Sequence, residues 1–138
     1  MKEILLIDDE ADLRESISQV LIEAGYSVRT AADGLTGIQA CREKCPDLVI
    51  TDIIMPKAHG FDAILLIRRE HPQVRIIAIS GGGHFWPAVY QPETVNTTAY
   101  LAAALKSGAN AILPKPFNRA VLLAEVRKWL PDDFAAPR

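Results

Sequence analysis

The sequence predicts an α/β domain in which a parallel five-stranded sheet carries helices on both faces. Three observations lead there. Short apolar runs such as Leu48-Val49-Ile50-Thr51 are nearly free of polar residues, the signature of strands buried on both faces. Stretches with apolar residues at helical spacing stand between those runs, so strand and helix alternate along the chain. That alternation requires crossover connections, which are right-handed, and a parallel sheet. Third, the central run ends in one carboxylate, Asp52, and Met55-Pro56 follows; proline cannot continue a buried ladder. Asp52 is therefore expected at the carboxyl end of a central strand, the edge where ligands bind in open α/β sheets.

The elements follow in order. Ile4-Leu5-Leu6-Ile7 is the first strand and ends in Asp8-Asp9-Glu10. A helix is expected from roughly Ala11 to Ala24, with Leu13, Ile17, Val20, Leu21 and Ala24 at helical spacing and Gly25 as its stop. Ser27-Val28-Arg29-Thr30-Ala31 reads as a more polar, edge strand. The second helix is expected from Leu35 to Lys44, with Leu35, Ile38 and Cys41 inward and Pro46 beyond it. After the third strand, a helix following Gly60 carries Phe61, Ile64, Leu65 and Ile67 and closes at His71-Pro72. The fourth strand runs from Val74 to Ile79. An irregular stretch, Gly81 to Asn96, precedes an alanine-rich helix from Thr97 to Lys106, with Gly108 at its end. Ala111-Ile112-Leu113 is the fifth strand. Asn118 is the expected N-cap of a last helix whose buried stripe is Leu122, Val126, Trp129 and Leu130. Residues 131–138 lack periodicity and read as a tail, leaving one domain over residues 1–130.

Composition bounds the function. Hydrophobic residues make up 49% and charged residues 23% of the 138, an ordinary globular balance. The net charge of −2 provides no global basic field for nucleic acid. No apolar run approaches the roughly 20 residues of a membrane span, and Met1-Lys2-Glu3 leads straight into a strand without a signal-peptide pattern. A cytoplasmic protein without membrane contact is expected. Cys41 and Cys45, spaced to share a helix face, lack the partners of a zinc site and read as ordinary thiols.

Four strand ends carry chemistry: Asp8-Asp9, Asp52, Ser80-Gly81 and Pro114-Lys115-Pro116-Phe117. Each alone has a plain explanation, as helix cap, turn residue or solvated charge. As a set in this order, from about Lys2 to Leu130, they resemble the receiver domain of bacterial two-component response regulators, in its stand-alone, chemotaxis-regulator-like form. The resemblance implies the flavodoxin-like (βα)5 fold with strand order 2-1-3-4-5. It also implies Asp52 as phosphoacceptor, Ser80 as the hydroxyl that bonds a phosphoryl oxygen, and Lys115 as the cation that pairs with Asp52 and then with the phosphoryl group. Met55, Pro56 and Gly60 match the loop after the acceptor, and a cis Lys115–Pro116 bond is expected. Neighbouring carboxylates repel, and a divalent cation relieves that repulsion. Mg²⁺, or Mn²⁺, would be held by Asp9 and Asp52 directly, Asp8 through water and the Ile54 backbone carbonyl. The implied partners are a sensor histidine kinase and an output or phosphotransfer protein. No turnover is implied beyond self-phosphorylation and dephosphorylation at Asp52.

The sequence departs from the family at Ile112, where an aromatic switch residue is usual, and in the long stretch after Ser80. That stretch holds His84, Phe85, Trp86 and Tyr90. Its rings either hold the loop down or, through Phe85 or Trp86, replace the missing switch aromatic. Three rival readings follow. A receiver-like binding module would dispense with phosphorylation. A phosphatase with an Asp nucleophile would need a second acid where Ile54 stands. A DNA-binding regulator would need a further domain.

Overall fold

The computed structural model describes residues 2–53, 60–79, 105–114 and 117–131. Its five strands are β1 (Glu3–Ile7), β2 (Ser27–Ala31), β3 (Leu48–Asp52), β4 (Arg75–Ile79) and β5 (Ala111–Leu113). They pair in parallel in the order β2-β1-β3-β4-β5. Three helices, α1 (Ala11–Glu23), α2 (Gly34–Glu43) and α3 (Gly60–Glu70), follow the first three strands, and α4 (Arg119–Trp129) follows the fifth. Residues 105–107 are helical and lead to Gly108, whose φ of +126° makes it the stop the sequence predicts. Most of the helix expected at 97–106 lies outside the described residues, as does nearly all of the tail.

Strand alternation divides the core into two layers. Ile4, Leu6, Leu48, Ile50, Ile77, Ile79 and Leu113 point to the face covered by α1 and α4, where they meet Ile17, Leu21, Leu122 and Val126. Leu5, Ile7, Val49, Ile76 and Ala78 point the other way, onto Ile38 and Cys41 of α2 and Ile64 and Ile67 of α3. A one-residue slip in any central strand would exchange the two layers, so burial on both faces fixes the register. β2 is the edge strand the sequence predicts, half-buried along most of its length. Its Arg29 holds Glu3 in a two-pronged ion pair and donates to the carbonyls of Ala40 and Lys44, which close the end of α2.

Three expectations about α2 are corrected. The helix begins one residue earlier, behind Asp33, whose Oδ1 accepts from Thr36 N at 2.8 Å while Thr36 Oγ1 accepts from Asp33 N at 3.3 Å. Leu35 is therefore not inward; it is 66% exposed. The inward row is Gly34, Gly37, Ile38 and Cys41. A Cβ on Gly37 would stand 2.3 Å from Ile7 Cδ1, so the helix lies closer to the sheet there than a leucine would allow. Cys45 does not share the helix face with Cys41, because α2 ends at Glu43; Cys41 is buried and Cys45 exposed.

The end of the sheet away from Asp52 is fastened by Arg68 of α3. Its guanidinium donates to the carbonyls of Pro72, Val74 and Gly108 and to Asn110 Oδ1, at 2.6–3.1 Å. Asn110 Oδ1 also accepts from Ile76 N. One side chain thus ties α3, the entry to β4 and the entry to β5.

Candidate functional site at the carboxyl edge of the sheet

The register brings the acidic residues together. Ile7 of β1 pairs with Thr51 of β3, so the next residues along, Asp8 and Asp52, come level. Both are fully buried, an unusual state for carboxylates. Asp9 follows at the turn into α1. One carboxylate oxygen from each of Asp8, Asp9 and Asp52 lies within 4.8 Å of the other two. At an effective dielectric of about 20, two such charges repel by roughly 3 kcal/mol.

The turn that carries Asp8 and Asp9 is pinned through Asp8. Its N donates to Ala31 O of β2 at 3.1 Å. Its Oδ1 accepts from Glu10 N at 2.9 Å, and its carbonyl accepts from Arg14 Nη1 at 2.7 Å. Part of Asp8's role is thus the helix-entry function that the plainer reading gives it, and the N-cap, Glu10, makes no side-chain cap bond of its own. Asp9 differs. Its Oδ1 is buried and meets no hydrogen-bond donor among the described residues. On the other side of the cluster, Ile53 N donates to Ile79 O at 3.0 Å, and Thr51 Oγ1 donates to the Asp52 carbonyl at 3.1 Å. These bonds fix the backbone that leads out of β3.

An all-oxygen set of three carboxylates, with a buried oxygen facing no donor, suits a hard divalent cation. Three of the residues singled out in the sequence, Asp8, Asp9 and Asp52, meet in space. The other three, Ile54, Ser80 and Lys115, lie outside the described residues. So do Met55, Pro56, the Lys115–Pro116 bond and the stretch 81–96. Ile112 is half-buried and packs toward the layer of α2 and α3.

The response regulator receiver domain family matches residues 4–91 of the chain. The chain belongs to that family. This receiver domain is similar to the chemotaxis protein CheY of Thermotoga maritima, 30% identical over 128 residues that span 92% of this chain and 96% of CheY. It is 34% identical over 127 residues to the nitrogen assimilation regulatory protein NtrX of Azorhizobium caulinodans; those residues are 89% of this chain and 25% of NtrX. The receiver domain therefore spans about a quarter of one relative and nearly all of the other. Among solved structures, the Vibrio cholerae chemotaxis protein CheY4 superposes with a TM-score of 0.73 at 28% identity, covering 93% of this chain and 98% of that one. The flavodoxin-like order 2-1-3-4-5 is the arrangement expected from the sequence. Among the described residues no helix is long and apolar enough to cross a membrane.

Sequence reasoning missed Arg14. An arginine one turn into a helix reads as a solvated charge, and the only available signal was its place on the turn after Glu10, at the mouth of the acidic edge.

Proposed function

We propose that this receiver domain is a signalling switch that accepts a phosphoryl group on Asp52 from a sensor histidine kinase. The convergence of Asp8, Asp9 and Asp52 at the carboxyl edge of the sheet carries the proposal. An Asp52 carboxylate oxygen attacks the phosphorus of the donor, forming a new P–O bond. The bond from phosphorus to the leaving group breaks, and the imidazole of the kinase, or acetate from acetyl phosphate, departs with the electron pair. The domain's work is positioning and charge neutralisation.

Asp9 and Asp52 would hold Mg²⁺ directly and Asp8 through water, with the Ile54 carbonyl completing the protein's share; Mn²⁺ suits the same oxygens. When bound, the cation neutralises negative charge on the phosphoryl oxygens. Ser80 donates its hydroxyl to a phosphoryl oxygen, and Lys115 pairs first with Asp52 and then with the phosphoryl group. Chemistry is confined to phosphorylation and dephosphorylation of Asp52. The modified face then engages an output or phosphotransfer protein, in the cytoplasm and without direct contact with nucleic acid or membrane. The receiver unit covers residues 1–130 and the tail 131–138.

One observation favours a second reading. Ile112 has no ring to turn, which suits a receiver-like module that binds its partner without phosphorylation. Incubation with Mg²⁺ and acetyl phosphate separates the two. The switch gains one phosphoryl group by intact mass, and Asp52→Asn gains none. A folded protein that takes up no phosphoryl group would establish the binding module instead.

A further inference from the structure

We propose that Arg14 is a positioning residue for the divalent-cation site, acting through the peptide that joins Asp8 to Asp9. This rests on the reading of the acidic cluster as a metal pocket and names a residue outside the carboxylate set that governs it.

Arg14 lies on α1, its N bonded to Glu10 O at 2.9 Å. From there its Nη1 reaches back to the Asp8 carbonyl at 2.7 Å. That carbonyl belongs to the planar peptide that also contains Asp9 N and Cα. Fixing the carbonyl fixes the plane, and the plane sets the direction in which Asp9 Cα presents its side chain. The two acids are held unequally. Asp8 has its own side-chain tether, Glu10 N to Oδ1 at 2.9 Å, and a backbone bond from its N to Ala31 O. Asp9 Oδ1 is buried with no donor among the described residues. Repelled by its carboxylate neighbours, Asp9 would swing away unless its backbone were held. The charge-assisted bond from Arg14 is the link that holds it from the helix side.

The sign of the effect separates positioning from simple electrostatics. A guanidinium near the pocket repels a cation, so if charge alone mattered, removing it would tighten metal binding. If Arg14 positions Asp9, removing it weakens binding, by about tenfold for a residue one step behind a ligand.

Mn²⁺ titration followed by electron paramagnetic resonance reads the affinity directly, in wild type, Arg14→Met and Arg14→Lys. Methionine keeps helix propensity, and lysine keeps both a donor and the charge. The expected result is about tenfold weaker Mn²⁺ binding in R14M and near wild-type binding in R14K. Phosphoryl uptake from acetyl phosphate should then need about tenfold more Mg²⁺ for half-saturation in R14M, while the rate at saturating Mg²⁺ returns to the wild-type value. Arg14→Gln repeats the comparison if the methionine variant does not fold. Wild-type or tighter Mn²⁺ binding in a folded R14M overturns the inference alone. Failure of the wild-type protein to bind Mn²⁺ overturns the metal-pocket reading and this inference with it.

Discussion

Replacing Asp52 by asparagine in metal-free buffer should leave the protein as stable as wild type or make it more so. A buried polar residue in the central strand would ordinarily be costly to change. Here the cost is reversed by the neighbours. One carboxylate oxygen from each of Asp8, Asp9 and Asp52 lies within 4.8 Å of the other two, so each charged pair at Asp52 repels by roughly 3 kcal/mol at an effective dielectric of about 20. Asparagine keeps the shape and removes two of the three repulsive pairs. Against this stand the favourable contacts that the carboxylate itself makes, on the order of 1.5–3 kcal/mol for a charged hydrogen bond. The balance is a gain of up to about 4 kcal/mol. Urea unfolding at neutral pH and low salt with a chelator measures it. Adding Mg²⁺ at ten times its dissociation constant should then stabilise wild type by about 1.4 kcal/mol and D52N by clearly less. A loss of more than about 1 kcal/mol in D52N would instead make Asp52 part of the structural core.

Arg68→Met should destabilise by about 2–4 kcal/mol in urea, because several carbonyls and Asn110 lose a common charged donor at once. Arg68→Lys should recover only part of that, since an ammonium cannot reproduce the guanidinium fork; equal stability of the lysine variant would contradict the account. Burial raises the Cys41 thiol from its ordinary 9.0 to about 11. The unfolded chain therefore loses this proton first as pH rises. The stabilisation from the neutral thiol is complete below pH 9, declines between pH 9 and 11 and is gone above that, so unfolding midpoints should fall across that alkaline window and the fall should flatten in Cys41→Ala. Alkylation of the native protein at pH 8 should modify exposed Cys45 and spare Cys41; equal labelling would show that α2 opens.

The two-layer core could be read directly from the chain because hydropathy reports it. Ile4-Leu5-Leu6-Ile7 and Leu48-Val49-Ile50-Thr51 are apolar on both faces, and both prove fully buried. The edge strand, the Gly108 stop and the Asn118 cap were legible for equally local reasons, Asn118 Oδ1 accepting from Val121 N at 2.8 Å. The inward face of α2 was not, because Gly34 and Gly37 have no hydropathy signal and Leu35 has a strong one pointing the wrong way. Asp33 and Thr36 offered a cap signal three residues apart that would have moved the helix start to Gly34. Within the site, residue type and strand-end position marked Asp8, Asp9 and Asp52 as candidates, and the resemblance of the whole set to a receiver domain singled them out. The tethers that hold them were not legible: Arg14 to the Asp8 carbonyl, and Asp8 N to Ala31 O. Nor was Arg68, whose partners lie up to 42 positions away. Such bonds depend on where the fold places backbone carbonyls, and a sequence pattern carries no trace of that.

Asp52 is the proposed acceptor of the phosphoryl group. Borohydride reduces an acyl phosphate and leaves homoserine in place of the aspartate, so treatment after acetyl phosphate and Mg²⁺, followed by peptide mapping, locates the modified residue. The account predicts homoserine at position 52 alone, dependent on Mg²⁺ and strongly diminished in Asp9→Asn. Conversion at another residue, or none in a folded protein, would contradict it.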